Sequence, residues 1–337
     1  RLLVGGSSVG KQLTEHERGW ASIDQVWRSV DRTAERYLRR RYVGEKITSV
    51  YAYEDCALES FRAARELGLR RIYDLPIAYY ETAQKLLREE AERYPDWEPT
   101  LGGTRDSAEK LTRKAEELKL AELVVCPSAF VLDSLPEDVR TAKQCIVVPF
   151  GSPIVSGAAE RTHKPLRVLF AGALTQRKGL ADLFAAMELL DDPEIELVVM
   201  GSLLQPLDWY RERCARFKYE PPRPNAEVLR LMGSCDVFVL PSLVEGRALV
   251  QQEAMACGLP LIATKNAGGD DLIVDGETGF LVPIRSPEAL AQKISWCAAN
   301  REAISGMGIA AQRRAAELTW REYGESVVAA IRSLMAE

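Results

Sequence analysis

The sequence predicts an α/β protein of two parallel-sheet units that meet near residue 150. Three observations carry this. At 337 residues the chain exceeds the usual size of a single core, so two domains are the default. Short runs rich in Val, Ile, Leu and Phe alternate with longer stretches of helical period, and the runs are apolar throughout, as strands buried on both faces are. Each run ends near a Gly, Pro or Ser cluster, the punctuation of a loop at the carboxyl edge of a parallel sheet.

Residues 1–4 read as a strand, and Gly5 to Lys11 (GGSSVGK) approaches a phosphate-binding loop. Gln12 stands where that loop needs Ser or Thr to hold magnesium, so a plain Gly/Ser loop is expected instead. Residues 20–42 have helical spacing: Trp20, Ile23, Trp27, Val30, Ala34, Tyr37 and Leu38 tend to one side, with arginines at 28, 32, 36, 39, 40 and 41 around the rest. Such a helix suits a solvated face over a core stripe, and also an anionic lipid surface or a charged acceptor. Residues 47–53 read as a strand, 56–67 as a helix closed by Gly68, and 71–74 as a second strand. The stretch DLPIAYYE, Asp74 to Glu81, then lies at a carboxyl end, before a helix over 81–94. A charged amphipathic helix (106–120), a strand (123–126), a helix (128–134) and a buried strand (145–149) follow. The cluster Phe150-Gly151-Ser152-Pro153 and the polar run 156–165 mark a boundary and a hinge.

The second unit opens with a strand at 166–170, the turn Gly172 to Gly179 (GALTQRKG) and a helix over 180–190. Arg177 can hold phosphate bidentately and Lys178 acts as a point charge, so the turn reads as a phosphate-neutralising loop; a solvent-exposed Arg-Lys pair is the plainer alternative. A strand at 195–200 ends in Gly201-Ser202, 205–218 are expected to be helical, and PPRP (221–224) interrupts them before a short helix at 227–232. The strand 236–240 stops at Pro241-Ser242, Glu245 and Gly246 occupy a loop, and a helix over 248–257 runs until Gly258 and Pro260. A strand at 260–263, a turn at Gly268-Gly269-Asp270-Asp271, a helix capped by Ser286 with Pro287 in its first turn, and a last helix over 321–335 complete the chain. The Asp pair lacks an Asp-x-Asp element and reads as turn chemistry rather than a metal site.

Glu245 and Glu253 therefore flank a helix start. A helix N-terminus offers unpaired N–H groups and positive dipole, and a Gly lets an anion approach closely. Glu253 lies about 8 to 9 Å along the axis, so the two carboxylates can accept hydroxyls on either side of a bound diphosphate. Ribose, diphosphate and sugar in that order make a nucleotide sugar. Solvated glutamates on an amphipathic helix are the bland alternative for any isolated pair.

The stretch PSLVEGRALVQQEAMACGLPLIA (241–263) resembles the signature of glycosyltransferase family four, whose two glutamates are separated by seven residues. AGGDDLIVDGETGFLVP (267–283) continues the likeness. The resemblance implies a GT-B fold, two Rossmann-like domains facing across a cleft. The first spans 1–150 on the acceptor side, the donor-binding second spans 151–320, and a terminal helix over 321–337 crosses back onto the first. It also implies more residues in the first domain than are present here, either before Arg1 or near Gly5 to Lys11.

What the resemblance further implies is a retaining transfer of a sugar from a UDP, GDP or ADP type donor to a sugar, lipid or small-molecule acceptor. No metal and no cofactor beyond the nucleotide sugar are expected. Glu245, Arg177 and Lys178 are the implied catalytic residues; Gly172, Gly246, Arg247, Ala248, Leu249 and Glu253 would bind the donor. Tyr79, Tyr80 and Glu81 stand on the acceptor side, where the family often has a histidine; ordinary residues at the start of the helix over 81–94 are the equal alternative. Lys178 matches the family's lysine, whereas Ala173 takes the place of its arginine and leaves that role to Arg177. Arg247 and Ala248 replace the usual Phe and Gly, which puts a further cation at the diphosphate. A degenerate nucleotide-sugar binder, or an epimerase or hydrolase on the same fold, are the alternative readings. With only His16 and His163, the chain is poor in acid–base candidates. A net charge of −5 speaks against a general nucleic-acid binder, seven scattered cysteines without a C-x-x-C pair fit a reducing cytoplasmic compartment, and no apolar run is long enough to span a membrane. Peripheral membrane contact stays open through the basic helix.

Overall fold

The computed structural model describes residues 8–155 and 165–336; the expected strand at 1–4, the first three residues of the Gly5 to Lys11 loop and most of the polar run at 156–165 lie outside them, and the rest of that expected loop belongs instead to a short helix, Ser8–Leu13. The first sheet has four parallel strands in sequence order: β1 (Ser49–Tyr53), β2 (Arg70–Asp74), β3 (Leu123–Cys126) and β4 (Gln144–Val147). β3, Leu-Val-Val-Cys, is buried at every position because it lies between two strands and under helices on both faces.

The second sheet has six parallel strands: β5 (Leu166–Ala171), β6 (Ile195–Met200), β7 (Lys218–Glu220), β8 (Val237–Leu240), β9 (Leu261–Ala263) and β10 (Gly279–Leu281). Their order is β10-β9-β8-β5-β6-β7. The chain runs outward from β5 through β6 to β7, then returns to β8 on the other side of β5. That reversal is the switch point at which doubly wound sheets take ligands, in the crevice beyond the carboxyl ends of the two adjacent strands. Gly179, at φ +73°, lets the turn after β5 approach the loop after β8: a Cβ there would sit 2.1 Å from the Pro241 carbonyl oxygen.

β7 is a correction, because residues 205–218 were expected to be helical. The helix is only Leu207–Arg211, and Lys218 to Glu220 pair with β6 as an edge strand. Three residues carry too little pattern to signal a strand. Helix Ile23–Glu45 also departs from the expectation of a core stripe. Leu38 is buried, but Ile23, Val30 and Tyr37 are exposed along the helix, which overhangs the free edge of β1 and leaves a groove of about 910 Å³. Ser286, expected to cap helix Pro287–Ala299, makes no capping hydrogen bond from its side chain.

Two of the elements that tie the halves together are the last helix and a short turn of the first half. Helix Trp320–Ala336 packs Tyr323, Val327, Ile331 and Leu334 against Ile72, Leu123, Val125 and Val148 of the first sheet. The turn Pro95–Thr100, which precedes β3 in sequence, inserts Trp97 into the second core, edge-on to Trp209 at 4.8 Å and to Phe184 and Tyr210 at 5.9 Å. Among the described residues no helix is long and apolar enough to cross a membrane, and all seven cysteines are free thiols.

Candidate functional site

The turn after β5 and the loop after β8 meet at the switch point. Thr175 starts the short turn Gln176–Lys178 by accepting the Arg177 N–H at its hydroxyl, 3.2 Å. The turn lies against the second loop, where Leu243 N donates to the Arg177 carbonyl at 2.9 Å. Lys178 then runs back under Gly172, and a Cβ on Gly172 would come within 2.8 Å of the lysine side chain.

Glu245 is the centre of charge. Its Oε1 takes the Lys178 ammonium and, at 2.9 Å, Arg177 Nη1, which also donates to the Val244 carbonyl at 2.7 Å. Burial pushes the Glu245 carboxyl up, but the two cations outweigh it and hold the group below its ordinary value. For Lys178, burial is the stronger influence and lowers the ammonium below its usual range despite its partner. Compact, desolvated charge of this kind is what a functional site accumulates.

Helix Leu249–Ala256 begins at Ala248, which offers no capping side chain, so its first N–H groups are left for an anion. A cavity of about 390 Å³ opens there. Gly172, Ala173, Lys178, Glu245, Ala248, Leu249 and Glu253 line it, together with Met200, Gly201, Ser202, Pro222, Arg223, Val228 and Val250. Glu253 is held at its far end, accepting from Asn225 Nδ2 at 2.7 Å. The second group of lining residues was not assigned from sequence. The Gly201-Ser202 loop carried a signal, as a Gly turn at a strand end, whereas Arg223 and Asn225 become neighbours of Glu253 only once β7 and helix Asn225–Gly233 are in place.

Six expected site residues do not line this cavity. Arg247 is no cation at the cavity: its side chain is buried and turned away, donating from Nε to the Pro127 carbonyl at 2.6 Å and from Nη2 to Asp271 Oδ2 at 2.8 Å. The reason is that the loop leans on the first half of the chain, whose carbonyl oxygens and Asp271 supply the partners. Gly246 is part of the same contact rather than an opening for an anion. A Cβ there would lie 1.7 Å from the Pro76 carbonyl oxygen, and its own carbonyl accepts from Ser128 Oγ at 2.6 Å. Arg177 touches Glu245 but does not line the cavity. Tyr79 is a core residue, packed with Phe61 and Tyr73, because its backbone N–H is fastened to Ser134 Oγ at 2.7 Å and draws the ring inward. Tyr80 is half-buried against the Tyr79 ring and donates to Glu81 Oε1 at 3.2 Å, with Glu81 exposed.

Among the described residues one group of side chains could gather around a metal ion: His16, Glu17 and Asp106, none of which lines the cavity. Lys110 already neutralises Asp106 at 3.0 Å, and the His16 ring lies 3.0 Å from the same oxygen. Of the Asp270-Asp271 pair, Asp271 accepts from Arg247 and from the Ala129 N–H at 3.0 Å.

Known proteins resemble this chain in sequence and in fold. Residues 152–314 match the family described as Glycosyl transferases group 1. The chain is similar to a D-inositol 3-phosphate glycosyltransferase of Corynebacterium diphtheriae, 28% identical over 220 residues that cover 60% of this chain and 48% of the relative. An alpha-maltose-1-phosphate synthase of Mycolicibacterium smegmatis is 26% identical over 194 residues, 52% of this chain and 49% of the relative. The chain thus spans about half the length of these curated relatives. In fold it is similar to a sucrose-phosphate synthase from Thermosynechococcus elongatus, with a TM-score of 0.69 at 19% identity, covering 95% of this chain and 82% of that one. Anabaena HepE, solved in complex with UDP, gives a TM-score of 0.65 at 19% identity over 92% of this chain and 82% of that one. The match over residues 152–314 makes the second half of the chain similar to the group 1 glycosyltransferases, and the chain as a whole has the GT-B fold.

Proposed function

We propose that this protein transfers a sugar from a nucleoside-diphosphate sugar to an acceptor hydroxyl with retention of configuration. The observation that carries the reading is the single cavity in which Lys178, Glu245, an uncapped helix start and Glu253 converge. A diphosphate fits the ammonium and the free N–H groups, ribose hydroxyls fit Glu253, and sugar hydroxyls fit Glu245. The bond that breaks joins the anomeric carbon to the diphosphate oxygen. Charge grows on that oxygen, where Lys178 and the helix start would stabilise it, while the acceptor oxygen attacks the same face and passes its proton to the leaving phosphate. No side chain of this chain is needed as a nucleophile. UDP in the solved HepE complex supports a uridine donor as the first to try.

Ala173 favours a second reading, a nucleotide-sugar binder without turnover, because the loop offers one cation fewer to the leaving group than the family pattern implies. One experiment separates the two. UDP-, GDP- and ADP-sugars are each incubated with the protein and sugar, lipid and small-molecule acceptors, and released nucleoside diphosphate is measured. Acceptor-dependent release that Lys178→Ala abolishes is the expected result. Tight donor binding with no release for any acceptor would establish the binder, and no binding of any nucleotide sugar would sink both.

A further inference from the structure

Helix Tyr80–Arg93 follows the first sheet's β2 yet ends against the second half, and its Glu90 is fully buried there. One Glu90 oxygen accepts from Gln176 Nε2 at 2.6 Å and from Arg93 Nη1 at 3.1 Å; the other accepts from Arg285 Nε at 2.8 Å. Asp182, 1% exposed, accepts from Arg93 Nη2 at 2.6 Å and Gln176 Nε2 at 2.9 Å. The two buried carboxylates each face a partly exposed guanidinium, and Arg285 also reaches the exposed Glu89 at 3.0 Å, so neither buried charge is left uncompensated.

Gln176 is the junction of this network. Its Nε2 serves both carboxylates, its Oε1 accepts from the Ala181 N–H at 2.7 Å, and its own N–H donates to Thr100 Oγ1 at 3.1 Å. Thr175 Oγ1 donates to the Thr100 carbonyl at 2.6 Å. The next residues along are Arg177 and Lys178. A single turn of three residues has no hydrogen-bond ladder long enough to set its own direction, so these outside contacts decide where it points.

We infer that Glu90 is a positioning residue of the donor site: through Gln176, the helix from the first half holds the Thr175 to Lys178 turn so that the Lys178 ammonium faces the cavity. The inference rests on the donor reading above. It makes nucleotide affinity depend on a side chain that touches no substrate, with the buried Gln176 amide as one of several contacts that join the two halves.

Titration calorimetry of UDP, GDP and ADP into the whole chain, with donor kinetics, is compared for wild type, Glu90→Met, Glu90→Gln and Lys178→Ala. Gln at position 90 keeps an oxygen that accepts from Gln176, and Met does not. Glu90→Met is expected to weaken the nucleotide that wild type binds by about tenfold and to raise donor KM with kcat within about threefold, whereas Glu90→Gln stays within about threefold of wild-type affinity. Circular dichroism sets a temperature at which every variant is folded. Should Glu90→Met not fold, Thr100→Val removes the acceptor of the Gln176 N–H at equal size, with about threefold weaker binding expected. Wild-type affinity in these variants beside a weakened Lys178→Ala overturns the positioning role and leaves the donor reading standing. Equal losses in Glu90→Met and Glu90→Gln would assign the effect to charge balance and overturn it too. Nucleotide binding that ignores Lys178→Ala, or no binding at all, removes the donor reading and the inference with it.

Discussion

Arg247, buried, and Asp271, half-buried, form an ion pair, Nη2 to Oδ2 at 2.8 Å, that turns the guanidinium away from the cavity at the switch point and onto the first half of the chain. The same Asp271 oxygen accepts the Ala129 N–H, and Arg247 Nε reaches the Pro127 carbonyl, so the pair fastens the loop after β8 to the loop after β3. Where a third cation at the diphosphate was expected, there is a staple between halves. Burial lowers the Arg247 guanidinium's pKa, with Asp271 and Asp270 working against that shift, so the charge depends on its partner.

Removing that partner is therefore costly. Asp271→Ala leaves the buried guanidinium with the Pro127 carbonyl and the nearby Asp270 alone and is expected to lower unfolding free energy by about 1–3 kcal/mol in chemical denaturation. Nucleotide affinity of the folded variant stays within about twofold, because the pair does not line the cavity. A tenfold loss of affinity in fully folded Asp271→Ala would return Arg247 to the donor site.

Lys178 and Glu245 are each other's counterion in this structure, so an incoming diphosphate has to replace the Glu245 carboxylate at the ammonium. Lys178→Ala is expected to reduce kcat by about 10²- to 10³-fold, the usual effect of deleting one stabiliser of developing charge. Glu245→Gln separates binding from transfer. Free nucleoside diphosphate should bind at least as tightly as to wild type, by up to about tenfold more, while sugar transfer falls. Weaker binding of free diphosphate in Glu245→Gln would show that the carboxylate does not compete for the lysine.

The acid limb of stability tests the same cluster without any ligand. Glu245 is held below its ordinary value of 4.5, so as pH falls the unfolded chain takes up this proton before the folded chain does. The stabilisation by Arg177 and Lys178 is fully present above that ordinary value and is lost as pH drops through the lower folded value. Denaturant unfolding of wild type should weaken between about pH 5 and pH 3, and the part due to this group should be missing from Glu245→Gln, whose curve is flatter there. Parallel curves for the two proteins would mean that the cations do not stabilise the carboxylate.

Gly172, Lys178, Glu245 and Glu253 could be picked out of the sequence because the resemblance at 172–179 and 241–263 marked them, and parallel βαβ units fit the two loops to one site. A residue just beyond an apolar run lies at the sheet's carboxyl edge, and adjacent strands bring two such edges together. Nothing comparable announced Trp97 or Glu90. Both belong to a segment that reads as an ordinary amphipathic helix and turn, and their partners, Phe184 and Trp209 for one and Gln176 and Arg285 for the other, lie more than 80 residues away.

By itself the sequence determined the α/β class, most of the strands and the strand–loop–helix that carries Glu245 and Glu253, since period and punctuation are local properties of the chain. Only the tertiary structure decided that Arg247 and Gly246 serve the contact between halves, that Tyr79 is core, and that the Lys178 turn is gripped from the first half. The physical reason is that a side chain in a loop takes its direction from whichever donors, acceptors and charges surround it after folding, and here those belong to the other half of the molecule.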